Sequence, residues 1–176
     1  MFKKLNLFSK TEMELLTFIA SKDGEFYERE ITRLTGISVG SVNNILKKFT
    51  DLHFVNKKKK GRMQFYSRNQ ENPLIRQFKV FIIIYGLIPF LSKASPHSKR
   101  IILFGSCAKG LNTEKSDIDL VIISKEKELL RRIFDQEARI QLIVLDSVEY
   151  AELEQNDKPL YERIEMGIEL HGEGYG

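Results

Sequence analysis

The sequence predicts an α-helical domain bearing a β-hairpin, joined to a small α/β domain with a mixed sheet. Three observations predict it. Charge divides unevenly: residues 1–95 carry 17 Lys and Arg against 8 Asp and Glu, whereas residues 96–176 carry 11 against 16. Apolar residues recur at spacings of three and four in the first half, whereas short apolar runs alternate with helical stretches in the second. Between the halves, SKASPHSK (92–99) has no apolar periodicity and reads as a short linker.

The bulk numbers bound the answer. A chain of 176 residues suits one ordinary domain or two small ones, and a hydrophobic content of 42% supports a packed core. The single cysteine, Cys107, excludes an internal disulfide. The N-terminal MFKKLNLFSK lacks the apolar core of a secretory signal. The longest apolar stretch, Val80–Leu91, is too short to span a bilayer as a helix. These features predict a soluble, cytoplasmic protein with no membrane partner.

In the first half, Ser9 or Thr11 caps a helix carrying Met13, Leu15, Leu16, Phe18 and Ile19. A second helix runs through Glu28–Leu34 and breaks at Thr35-Gly36. Ser38 caps a third, whose Val42, Ile45, Leu46 and Phe49 form one apolar stripe. Phe54-Val55 and Met63–Tyr66 form a hairpin whose tip is Lys57–Lys60 with Arg62. From Pro73 to about Leu91 the pattern is one long apolar helix. The second half predicts strands over Lys99–Phe104, Asp117–Ile123 and Ile140–Leu145. Helices are expected from Gly105-Ser106, over Glu126–Gln136, over Val148–Glu154 and over Pro159–Met166. The domains expected are 1–72, a linking helix 73–95, and 96–176.

The order helix, helix, Gly-containing turn, helix, basic hairpin in EREITRLTGISVGSVNNILKKFTDLHFV (28–55) and its flanks resembles the winged helix-turn-helix family over roughly residues 9–68. That resemblance implies double-stranded DNA as a partner. If the apolar stripe of the third helix faces inward, Val39, Gly40, Asn43, Asn44 and Lys47 face outward. Asparagine pairs with adenine in the major groove, and Lys47 suits a phosphate. Lys57, Lys58, Lys59, Lys60 and Arg62 suit the DNA backbone. The same charges also suit a solvated helical adaptor that docks a protein. The apolar segment 78–91 exceeds what a small domain has to cover, so a homodimer is expected.

LFGSCAKGLNTEKSDIDLVIIS (103–124) sets two carboxylates, Asp117 and Asp119, inside an apolar run. Residues i and i+2 of a strand share a face, so the two acids sit side by side. Such a pair repels unless a cation lies between them. Mg²⁺ suits it, because that ion takes one or two carboxylates together with phosphate oxygens and water. Gly105 and Ser106 end the preceding strand at a helix start, which offers N–H groups and a hydroxyl to phosphate. Gly110 allows a second tight turn, and Lys109 is a further phosphate candidate or simply a solvated charge.

Gly105, Ser106, Gly110, Asp117 and Asp119 resemble the hallmark of the DNA polymerase β-like nucleotidyltransferase superfamily, in its minimal form, over about residues 97–172; GIELHG (167–172) is similar to its closing segment. The resemblance implies catalytic, metal-binding Asp117 and Asp119. It also implies nucleotide binding at Gly105, Ser106, Lys109 and Gly110, Mg²⁺ as cofactor, and transfer of NMP from ATP or another NTP to an acceptor. Some minimal members are antitoxins that modify a separate toxin chain. The family's third carboxylate falls here on Gln141, an amide that brings no charge and cannot act as a base. Asp146 lies too far along the strand to replace it, and Glu137 requires a bend. Two readings stay open: a transferase, or a DNA-binding regulator whose transferase domain is weakened. Cys107 reads as a small buried residue, and His53, His97 and His171 have no ligand spacing.

Overall fold

The computed structural model describes residues 7–172 and divides into two compact units, Met1–Lys79 and Val80–Gly176. The first unit opens with helix α1 (Lys10–Ser21), started by a capping box between Ser9 and Glu12. Such a cap contributes about 1 kcal/mol by satisfying N–H groups that the helix leaves free. Strand β1 (Phe26–Tyr27) leads into α2 (Glu28–Thr35), and Ser38 caps α3 (Val39–Asp51). Strands β2 (Val55–Lys60) and β3 (Met63–Arg68) complete an antiparallel sheet in the order β1-β3-β2. Leu15, Ile31, Val42, Leu46 and Phe49 are fully buried together, as the apolar spacing predicts.

The lysine run differs from expectation. Lys57–Lys60 are not a hairpin tip; they belong to β2, paired residue for residue with Tyr66, Phe65, Gln64 and Met63, and Gly61-Arg62 makes the turn. Strand alternation therefore sends Lys57 and Lys59 to one face and Lys58 and Lys60 to the other. Lysine has little strand preference of its own, so the run is held extended by the ladder it makes with β3.

Arg68, only 8% exposed, fastens this unit. Its guanidinium donates to the carbonyls of Ala20 (2.7 Å) and Lys22 (3.2 Å) at the end of α1, and to Asp23 Oδ1 at 2.6 Å. A cation placed at the last carbonyls of a helix satisfies them and meets the negative end of its dipole.

Helix α4 (Pro73–Ala94) runs on past the apolar stretch that the sequence delimits, and a 3₁₀ turn (Ser95–His97) follows, so most of the expected linker is helical. The expectation on bilayer length is thereby corrected. Pro73–His97 is 25 residues with a most apolar window of mean hydropathy 1.7, long and apolar enough by length and composition to cross a membrane. The uninterrupted apolar run understates the helix because its polar flanks are helical too. In the first unit Ile75 is buried in the core; in the second, Leu87 and Ala94 are.

The second unit is built on a four-stranded mixed sheet of order β6-β5-β4-β7, from β4 (Arg100–Phe104), β5 (Ile118–Ile123), β6 (Ile140–Leu145) and β7 (Ile168–Gly172). Strand β4 is antiparallel to β5 and β7, and β5 is parallel to β6. One turn of helix, α5 (Gly105–Ala108), follows β4; α6 (Lys127–Phe134) makes the crossover that a parallel pair requires; α7 (Ser147–Asn156) and α8 (Lys158–Glu165) precede β7. Alternation along the strands makes two cores. Ile101, Leu103, Leu120 and Ile122 pack with Leu87, Cys107 and Leu130 on one face. Ile102, Phe104 and Val121 pack with Ile164 on the other. Asp146, set aside above as a site residue, instead caps α7 by accepting from the N–H groups of Val148 and Glu149.

Candidate functional site

The two aspartates lie where β4 ends and β5 begins. Register places Asp119 opposite Phe104 on antiparallel β4 and beside Gln141 on parallel β6. Paired residues of neighbouring strands share a face, so Asp119, Phe104 and Gln141 point the same way. Asp117 joins them, because its Oδ2 accepts from Gln141 Nε2 at 2.8 Å. The pair and the amide are thus brought together, with Ile118 turned into the opposite core.

Gly105 follows Phe104 with φ of +72°, and an added Cβ would overlap the Asp119 carboxylate. Glycine is required twice over, for the left-handed turn and for the space the acid occupies. Ser106 is partly exposed, Lys109 exposed, and Gly110 buried with φ of +65°. The helix expected from Gly105 is a single turn, so a macrodipole contributes little; what the turn offers is its own N–H groups, which precede any intrahelical acceptor. Cys107 is fully buried, its sulfur 3.3 Å from the Asp117 carbonyl, in keeping with a packing role.

Burial holds the Asp119 carboxyl above the usual carboxylate range; the Arg163 guanidinium opposes that shift and the neighbouring Asp117 adds to it. Among the described residues, no group of three or more His, Cys, Asp or Glu side chains is disposed to hold a metal ion, so neither Glu137 nor any other acid joins the pair. Arg163 is a residue that sequence reading missed. Its Nη2 is 4.0 Å from Asp119 Oδ2 and its guanidinium lies 5.5 Å from the Phe104 ring centroid. No spacing signals it, because its position depends on how α8 crosses β4.

In the first unit, Val39, Gly40, Asn43, Asn44 and Lys47 are all exposed along α3, as the apolar stripe implies. Asn43 already has a partner within this unit, however. Its Nδ2 donates to Glu28 Oε1 at 3.0 Å, and the Tyr66 hydroxyl donates to the same oxygen at 3.2 Å. Burial, with Glu28 nearby, pushes the Tyr66 phenol up to about 12. Glu28, Asn43 and Arg62 border an open groove of about 730 Å³. On the far face of the hairpin, Lys60 pairs with Glu25. Glu28, like Arg163, carried no sequence signal.

Residues 84–169 match the family model described as the nucleotidyltransferase domain. A crystal structure from Sulfolobus solfataricus, of a protein provisionally assigned as a nucleotidyltransferase, is similar at 18% identity with a TM-score of 0.39, over 61% of this chain and 96% of that one. No curated protein matches the chain.

Proposed function

We propose that this protein transfers a nucleoside monophosphate, AMP by family resemblance, from a Mg²⁺-bound NTP to a protein or small acceptor, and that its first unit is a winged helix-turn-helix which binds double-stranded DNA. The observation that carries the transferase reading is the juxtaposition of Asp117 and Asp119 beside the Gly105-Ser106 turn, within a domain that supports nucleotidyl transfer. Two carboxylates with an unoccupied third-acid position fit one Mg²⁺ that shares its remaining ligands with phosphate and water. They do not fit an all-protein cage. Asp117 and Asp119 would hold that ion, which when bound would offset the charge of the two carboxylates and let phosphate oxygens approach them. Gly105 lets backbone and carboxylate meet closely, while Ser106 and the turn N–H groups hold phosphate, with Lys109 at the rim. In the transfer an acceptor oxygen attacks the α-phosphorus, the new P–O bond forms, and pyrophosphate leaves with the electron pair of the bond that breaks. Gln141 takes no proton, so the acceptor receives no help from that position.

Gln141 favours a second reading, a DNA-binding regulator or antitoxin-like protein that binds nucleotide and transfers slowly. The test is incubation with labelled ATP, Mg²⁺ and co-purified candidate acceptors. Label transfer by wild type, abolished by Asp119→Ala, supports the enzyme; transfer only by Gln141→Asp supports the regulator.

A cytoplasmic location is part of this proposal, with Ile75, Leu87 and Ala94 of α4 packed into the cores of the two units. Homodimerisation is supported by Phe81, Tyr85 and Ile88, exposed at helical spacing along α4. A monomer by sedimentation at micromolar concentration would contradict it.

A further inference from the structure

We infer that Arg163 is a nucleotide-phosphate-binding residue, supplying at this site positive charge that the Gln141 position no longer helps to hold. The inference rests on the nucleotide reading above and deepens it. Asp117 and Asp119 carry two negative charges and Gln141 none, so a single divalent ion balances the carboxylates and leaves the triphosphate largely uncompensated. Arg163 is the cation nearest to hand, 4.0 Å from Asp119 Oδ2.

Its engagement there is loose. At 4.0 Å the two atoms make an ion pair but no hydrogen bond. The Arg163 side chain is 54% exposed, against 21% for Asp119, and among the described residues the guanidinium donates no hydrogen bond. Its charge nevertheless lies 5.5 Å from the centroid of the Phe104 ring, within cation–π range, and that ring is buried and immediately precedes the Gly105 turn. Gly167 fixes α8 against β4: a Cβ there would come 2.6 Å from the Leu103 carbonyl oxygen. Ile164, adjacent to Arg163, is fully buried in the same packing. A guanidinium over the ring that precedes the Gly105 turn, with donors not engaged in hydrogen bonds, is suited to bidentate recognition of phosphate. A residue whose task was only to neutralise Asp119 would gain from closing to hydrogen-bond distance.

The test is calorimetric titration of the full chain, as wild type, Arg163→Gln and Arg163→Lys, with ATP in excess Mg²⁺ and separately with Mn²⁺ alone. Arg163→Gln is expected to weaken ATP binding about tenfold, with partial recovery in Arg163→Lys, and to leave Mn²⁺ binding equal to or tighter than wild type. Thermal melting of the three proteins checks that the exposed substitution leaves the fold intact. Wild-type ATP affinity in Arg163→Gln would overturn the inference alone, reducing Arg163 to a counter-ion of Asp119. Failure of wild type to bind ATP in Mg²⁺ would overturn the nucleotide reading of the site, and this inference with it.

Discussion

The two units treat charge in opposite ways. In the first, groups that sequence reading assigned to an outside partner are engaged internally: Asn43 with Glu28, and Lys60 with Glu25. In the second, two carboxylates stand together with a neutral amide and one arginine at 4.0 Å, and the electrostatics remain unbalanced. Setting like charges side by side without full compensation costs stability, whereas pairing surface charges changes it little. The difference teaches where a ligand's charge is called for: the second unit keeps an unmet demand for a cation, while the first engages some of its exposed polar groups internally.

The largest effect is expected at the glycine that makes the carboxylate pair possible. Gly105→Ala sets a side chain at positive φ and into Asp119, so it should abolish nucleotide binding in calorimetry and destabilise the second unit by about 2–4 kcal/mol in urea unfolding. Retained binding would show that the close approach is incidental. In the first unit the counterpart is structural: Arg68→Met removes a buried cation that satisfies α1's last carbonyls and Asp23, and should cost about 2–3 kcal/mol. Chemical unfolding followed by circular dichroism measures it.

A smaller effect sharpens the comparison itself. If DNA meets the α3 face, Glu28→Gln removes a negative charge from that face and loosens Asn43. DNA affinity at fixed salt should then rise about threefold to tenfold by fluorescence anisotropy. Unchanged affinity would place the DNA contact elsewhere. The smallest effect concerns pH. Because burial raises the Asp119 carboxyl in the folded state, the native protein binds more protons than the unfolded chain in that window. Stability contributed by that proton is present at low pH and lost as pH rises through the folded-state value. Asp119→Asn should flatten this decline and raise the melting temperature modestly at neutral pH, while removing metal-dependent binding.

Much of this was legible in the sequence because it rests on local rules. Ser9 and Ser38 announce their helices, the stripe Val42–Phe49 fixes which side of α3 is buried, and alternation suggests the shared site of Asp117 and Asp119, although Asp117 lies one residue before β5 and is tied there through Gln141. Gln141 fell beside Asp119 because the strand lengths set the register of β5 on β6. What escaped depends on tertiary crossing or ladder pairing. The strand at Lys57–Lys60 exists through its partner, β1 is two residues long, and β7 is placed by bonds to β4. Arg163 and Glu28 lie far in sequence from the groups they meet, so no spacing could reveal them. Helix α4 was underestimated because its polar ends do not interrupt the helix.

The central claim is that the Asp117–Asp119 pair is kept for a divalent ion shared with a nucleotide's phosphates. The most direct measurement is the melting temperature of the protein with Mg²⁺ alone, with ATP alone and with both. The account predicts a substantial upward shift only when both are present, and its loss in Asp119→Ala. No shift with the combination, or an equal shift in Asp119→Ala, would contradict it.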